Sequence, residues 1–118
     1  MDIYSILIPI HNEVNSIPFL LDALQNYSNK GHEIIIIDDG SNDGSTDILN
    51  NYENINLICL YKNRGKGYAI RTGLKNVKND RVIIFDGDTE IPSYEIEKLM
   101  VLDKEKNVNF VMGYRSKI

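Results

Sequence analysis

Arg81-Val-Ile-Ile-Phe-Asp-Gly-Asp-Thr-Glu90 is the stretch on which the reading of the fold turns. Its apolar run, Val82 to Phe85, is short and unbroken, the pattern of a strand buried on both faces in a helix-covered sheet. Asp86, Gly87 and Asp88 follow at once, where the chain leaves such a sheet. Two carboxylates one residue apart, with no basic neighbour, are costly unless a cation comes to them. Asp-Gly is also a common turn pair. The flanking sequence decides between the two.

Toward the amino terminus, Ile70, Gly73, Leu74 and Val77 mark one face of a helix opened by the loop Asn63-Arg-Gly-Lys-Gly67. A strand from Ile55 to Tyr61 precedes that loop. Before it, Ser45 caps a short helix carrying Ile48, Leu49 and Tyr52, behind the polar loop Asp38-Asp-Gly-Ser-Asn-Asp-Gly44. Glu33-Ile-Ile-Ile-Ile37 is the clearest buried strand. Ile17, Leu20, Leu21 and Leu24 fall at i, i+3, i+4 and i+7 on a helix capped by Asn15 or Ser16, with Pro18 in its first turn and its end at Asn29-Lys-Gly31. Tyr4 to Ile10 is the first strand. Beyond Asp88, Pro92 and Ser93 start a helix bearing Ile96, Leu99 and Met100, and Phe110 to Met112 reads as a fifth strand.

Strand and helix alternate four times with short connections. This predicts an α/β fold, one domain over residues 1–118, with a mainly parallel sheet in three α/β/α layers and right-handed crossovers. Ligands of such sheets bind outside the carboxyl ends of the strands. Each unusual polar cluster here follows a strand: His11 to Glu13, Asp38 with Asp39, Arg64 to Gly67, and Asp86 to Asp88.

The 118 residues carry a net charge of −4, which argues against a nucleic-acid partner. The amino terminus shows no signal-peptide pattern, and no run approaches the ~18 apolar residues of a membrane span. A cytoplasmic protein is expected, with at most a peripheral membrane contact. The single cysteine, Cys59, excludes an internal disulfide and a cysteine-based metal cage, and its apolar neighbours predict a buried small hydrophobe. His32 reads as a turn residue.

Asp43, Ser45 and Thr46 account for local turn and helix-capping chemistry. Two further acids directly after a buried strand, Asp38 and Asp39, are explained less well that way, and one of them can accept a hydrogen bond from a ligand N–H. Gly65 and Gly67 let backbone approach a ligand at a helix N-terminus, where phosphate is attracted. Arg64, Lys66 and Arg71 bring positive charge to an acidic rim. The Gly65-Lys-Gly67 pattern lacks the third glycine of a dinucleotide fingerprint and follows the wrong strand for one. Asp86 and Asp88 suit a hard divalent ion, Mg²⁺ or Mn²⁺, shared with substrate phosphates. A loop or stacking role suits His11 better than catalysis.

Taken together, Ile8-Pro-Ile-His-Asn-Glu13, Ile37-Asp-Asp-Gly-Ser41 with Asp43, and Phe85-Asp-Gly-Asp88 resemble the nucleotide-sugar-binding half of a family 2 glycosyltransferase of the GT-A fold. The match runs from Ile3 to about Arg115. Asn63-Arg-Gly-Lys-Gly67 with Ala69 and Arg71 is most similar to the branch that moves glucose or mannose onto dolichyl or another polyprenyl phosphate. The resemblance implies that Pro9, His11 and Glu13 line the nucleotide pocket and that Asp39 binds the base. It makes Asp86 and Asp88 the DxD-type catalytic and metal-binding element, with Asp88 favoured as the direct metal ligand and Asp86 nearer the ribose and the metal. Arg115 falls where many members carry a Gly-Ser-Arg turn, although Gly113-Tyr-Arg115 departs from it.

Family members continue well past this length, so the resemblance implies a chain truncated on its carboxyl side, without the acceptor floor. Two readings stay open: metal-dependent transfer of a hexose from a UDP- or GDP-sugar to an acceptor such as polyprenyl phosphate, and a non-catalytic module that holds nucleotide or pairs with another chain. A sheet edge near Phe110 to Met112 would favour a homo-oligomer. A phospho-receiver domain would need its acidic pair after the first strand, where this chain has Pro9-Ile-His11. A nucleotidyltransferase would carry a glycine-rich loop there.

Overall fold

A computed structural model describes residues 3–85 and 110–113. Within them the elements run β1 (Tyr4–Ile10), α1 (Ile17–Asn29), β2 (Glu33–Asp38), α2 (Ser45–Asn50), β3 (Asn56–Cys59), α3 (Lys66–Leu74), β4 (Arg81–Phe85) and β5 (Phe110–Gly113). The strands form one sheet in the order β3-β2-β1-β4-β5, and every neighbouring pair is parallel. The order reverses at β1, which lies between β2 and β4, and this puts the topological switch at the centre of the sheet. The expected helix around Ile96 to Met100 lies outside the described residues, as do Asp86, Asp88 and Arg115.

Alternation along each strand divides the core. Tyr4, Ile6, Ile8 and Ile10 of β1 join Ile34 and Ile36 of β2 and Ile83 and Phe85 of β4 on one face. Helix α1 covers that face with Ile17, Leu20, Leu21, Leu24 and Tyr27, and α2 adds Leu49. Leu7, Ile35, Ile37, Val82 and Ile84 point the other way, against Ala69 of α3. Gly73 lets α3 lie close: a Cβ there would come within 2.5 Å of Leu7 and 2.7 Å of Ile37. Burial on both faces is why the β1 and β2 runs are continuous rather than alternating. Each isoleucine or leucine so buried contributes roughly 1.5–3 kcal/mol.

The cap positions differ from the sequence reading. Ser16 occupies the α1 N-cap, but its side chain makes no capping bond. At α2 the cap position is Gly44 at φ 98°, and the capping oxygen belongs to Asp43. Asp43 Oδ1 accepts the Ser45 N–H at 3.0 Å and its O–H at 2.6 Å, and Oδ2 accepts the Val14 N–H at 3.1 Å. Burial alone would raise the Asp43 carboxyl, but these bonds outweigh it and hold the group below the usual carboxylate range.

Two other expectations are corrected. Cys59 is exposed, because among the described residues β3 is the last strand on its side of the sheet, and it is shorter than the apolar run suggests. Burial of what remains covered, then the charge of Asp38, pushes its thiol up, so it is not an activated nucleophile. His32 is more than a turn residue. It is buried, and its Nδ1 accepts the Tyr4 N–H at 3.1 Å, joining the starts of β1 and β2. Burial, then the nearby Lys30 charge, lowers its pKa.

Candidate sugar-nucleotide site

The carboxyl ends of β1, β2 and β3 finish level, with Ile10 beside Asp38 and Asp38 beside Cys59. Their loops therefore meet above the switch point. Asn12, the one non-glycine at positive φ (51°) among the described residues, turns the chain sharply after β1. Its N–H donates to Ser41 Oγ at 2.9 Å, and its Oδ1 accepts the Asn42 N–H at 2.8 Å. The Glu13 N–H donates to Ser45 Oγ at 3.2 Å. The first loop is thus fastened to the second through polar atoms of both.

The two adjacent aspartates face inward. Asp38 is 1% exposed, and its carboxylate accepts the Ser41 N–H at 3.0 Å and the Thr46 O–H. Asp39 is 4% exposed, with Oδ1 accepting the Arg64 N–H at 2.7 Å and Oδ2 the Gly65 N–H at 2.9 Å. Asp39 is thus the anchor of the basic loop as well as a candidate for base recognition. A carboxylate has about four lone-pair sites, so two accepted bonds leave capacity for a ligand N–H.

His11 completes a closed circuit. Its Nδ1 lies 2.7 Å from the Asp39 carbonyl oxygen, which can only accept, so Nδ1 carries the proton. In the neutral ring Nε2 is then the acceptor, and the Asn63 amide nitrogen lies 3.0 Å from it. Asn63 Oδ1 accepts the Gly65 N–H at 3.0 Å, which is shared with the Asp39 carboxylate. The path runs from the Asp39 backbone through His11, Asn63 and Gly65 back to the Asp39 side chain. This supports a loop-holding role for His11 and fixes the entry to α3.

Gly40 makes the loop approach possible. It sits at φ +66°, and a Cβ there would lie 2.4 Å from the Asn63 nitrogen and 2.5 Å from the Lys62 carbonyl carbon. Gly65, at φ +96°, has open space where its Cβ would be, and Gly67 would meet only Arg71 at 3.6 Å. The first turn of α3 therefore presents backbone and cationic side chains. Arg64 and Arg71 both lie against the Tyr68 ring, with their guanidinium carbons 5.4 and 6.0 Å from its centroid.

Of the residues expected at the site, Pro9, His11, Glu13, Asp38, Asp39, Arg64, Gly65, Lys66, Gly67 and Arg71 fall on these strand ends and loops or in α3. Asn12, Gly40, Ser41 and Asn63 were not singled out for their loop-tying roles. The Asp-Gly and Asn-rich composition was the available signal, and it marks turns without saying which loops touch. Among the described residues no three or more His, Cys, Asp or Glu side chains gather into a metal-holding group.

A parallel α/β/α sheet with polar loops gathered at its carboxyl rim, the α3 N-terminus among them, defines an α/β class of protein whose ligands bind outside the strand ends. The comparisons narrow it. Residues 5–118 match the family described as Glycosyl transferase family 2, and the chain belongs to that family. It is 38% identical over 109 residues to an undecaprenyl-phosphate 4-deoxy-4-formamido-L-arabinose transferase of Yersinia pestis, covering 86% of this chain and 33% of that protein. The chain thus spans about a third of the length of the curated relatives it matches. Residues 1–349 of S. aureus TarS in complex with UDP superpose with a TM-score of 0.72 at 22% identity, over 90% of this chain and 33% of that one. A mannosyltransferase from Pyrobaculum calidifontis in complex with GDP-Man and Mn²⁺ gives 0.62 at 25% identity, over 72% and 27%. These neighbours have the GT-A fold.

Proposed function

We propose that the chain is the donor-binding domain of a glycosyltransferase that moves a hexose from a UDP- or GDP-sugar to polyprenyl phosphate. The observation that carries this is the Asp39–Arg64–Gly65 junction at the switch point. A buried carboxylate orders a glycine-rich, arginine-bearing turn at the start of α3, where a diphosphate is favoured by backbone N–H groups and positive charge. Support for the acceptor comes from the relatives, named for transfer involving undecaprenyl phosphate. Support for the donor comes from the UDP and GDP-Man complexes of structural neighbours.

In this reading Pro9, His11 and Glu13 border the nucleotide, Asp39 uses a free lone pair on the base, and Arg64, Lys66 and Arg71 take the diphosphate. An acceptor phosphate oxygen attacks the anomeric carbon, the bond from that carbon to the diphosphate breaks, and the nucleoside diphosphate leaves. Because the acceptor is already an anion, no general base is required. The ion ligands would be Asp86 and Asp88, just past the end of β4 at Phe85, and Arg115 would add a further contact. A bound Mg²⁺ or Mn²⁺ supplies charge neutralisation of the diphosphate.

Isothermal titration with UDP and GDP, with and without Mn²⁺, tests this directly. Binding of one nucleotide that needs the ion and is lost in Asp88→Ala is expected. No heat with either nucleotide in the presence of Mn²⁺ removes the proposal. If nucleotide binds but no sugar reaches polyprenyl phosphate above the Asp88→Ala background, the chain is a binding module.

A further inference from the structure

The net charge of −4 hides a strong segregation. Between Glu53 and Asp80 there is no acidic residue, yet six of the 13 lysines and arginines lie there, leaving seven against 17 acids elsewhere. Five of the six, Lys62, Arg64, Lys66, Arg71 and Lys75, fall on the loop before α3, in the helix or at its C-cap, and all are exposed. Helix α3 buries Ala69 and Gly73 against the sheet. Tyr68, Arg71 and Lys75 follow at steps of three and four along its opposite side, so they form one outward stripe.

Two features separate this stripe from an ordinary solvated face. First, among the described residues no carboxylate pairs with Lys62, Arg64, Arg71 or Lys75, although acids outnumber bases in the chain. Arg64 and Arg71 instead flank the same Tyr68 ring, which holds two like charges side by side. Second, aromatic rings stand out of the surface with them: Tyr61 is 99% exposed and Tyr68 41%. A tyrosine ring gains little from water around its apolar body but is well placed at the headgroup level of a bilayer. Clustered lysine and arginine are attracted to anionic headgroups within a Debye length of the surface.

We infer that the outer face of α3, through Lys75, Tyr68 and the Tyr61-Lys62 turn, docks on an anionic phospholipid surface, while Arg64 and Arg71 stay at the rim for the donor diphosphate. The charge complementarity selects this partner; resting on the function proposed above, a polyprenyl-phosphate acceptor, with its long apolar chain, would be met at such a surface. The face adjoins the Arg64 turn at the carboxyl rim, so docking would bring that rim toward the lipid headgroups.

Vesicle co-sedimentation of the chain tests this. Phosphatidylcholine vesicles are compared with vesicles containing about 30% phosphatidylglycerol, and NaCl is raised from about 0.05 to about 0.5 M. Binding to the anionic vesicles only, weakened at least about tenfold by the salt, is expected. Lys62→Glu/Lys75→Glu should abolish it, and Tyr61→Ser should weaken it. Lys30→Glu/Lys78→Glu, which changes net charge equally but lies elsewhere, should keep most of it. The milder Lys62→Gln/Lys75→Gln serves if charge reversal disturbs folding, as circular dichroism would report. UDP–Mn²⁺ titrations of the Lys62/Lys75 variants read the donor site separately and should be unchanged. Equal sedimentation with neutral vesicles, no sedimentation at low salt, equal loss in both double variants, or salt-sensitive binding to a single-stranded oligonucleotide without vesicle binding would each overturn the inference.

Discussion

The two ends of the sheet use the same chemistry to different effect. At the amino end, Glu33 Oε1 accepts the Ser5 O–H at 2.6 Å and the Lys78 N–H at 2.9 Å, and Oε2 accepts the Asn56 amide at 3.1 Å. Asn79 donates to Ser5 Oγ from both its backbone and its amide. A crevice of about 370 Å³ opens there among His32, Glu33, Glu53, Asn56 and Lys78, but these bonds join strand starts and the turn after α3 to one another. At the carboxyl end, Asp38, Asp39 and His11 also bond within the chain, yet what they fix are loops that carry glycine backbone and cations outward. A buried acid can close a surface or display one. The difference lies in whether its partners are strand edges or the turn that opens a helix.

The comparison can be broken by substitution, and the largest effect is expected at Gly40. Gly40→Ala should cost about 4 kcal/mol, because a left-handed backbone and a backbone clash coincide. Of a typical 5–15 kcal/mol total, that is a large share. Chemical denaturation would read the loss, and a loss below about 1 kcal/mol would show that the two loops part freely.

Asp39→Ala comes next, at about 3 kcal/mol, since it leaves the Arg64 and Gly65 N–H groups without their charged acceptor. Nucleotide affinity should fall with it, and Asp39→Asn should recover part of both losses. At the other end, Glu33→Ala should cost about 1.5 kcal/mol while nucleotide affinity is retained. If Glu33→Ala weakens nucleotide binding as much as Asp39→Ala does, the two ends are not functionally distinct.

The smallest effect concerns pH. His32 is lowered in the folded chain, so the unfolded chain takes up its proton first. The stability it confers is full above the unfolded value of about 6.5 and is lost as pH falls below that toward the folded value. The sign follows from burial, which disfavours the charged ring, and from Nδ1, which can no longer accept the Tyr4 N–H once protonated. Urea midpoints measured across this window should fall in the native chain and stay flat in His32→Gln. Asp43 adds a loss in the same direction only at lower pH, below the ordinary carboxylate range.

Much of this was legible in the sequence, and the reason is burial. Ile34 to Ile37 and Ile6 to Ile8 can be nothing but covered strands, and the 3.6-residue spacing of Ile17, Leu20, Leu21 and Leu24 fixes the covering face of α1. Alternation of such elements leaves a parallel sheet, and a parallel sheet puts its ligand loops at the carboxyl ends of its strands. The positions of His11, Asp39 and Arg64 at one rim follow from that alone.

The partners of those residues do not follow. Whether Asp39 faces a ligand or the Arg64 turn depends on loops 25 residues apart meeting in space, and no local propensity encodes that distance. The tautomer of His11 was set by a carbonyl 28 residues away. Cys59 looked buried because its neighbours are apolar, and it is exposed because, among the described residues, β3 has a strand on one side only. Local sequence carries periodicity and backbone preference, and these determined the layers and the rim. Hydrogen bonding between distant segments is settled only when the chain has closed, and that is what decided which acids hold the site together.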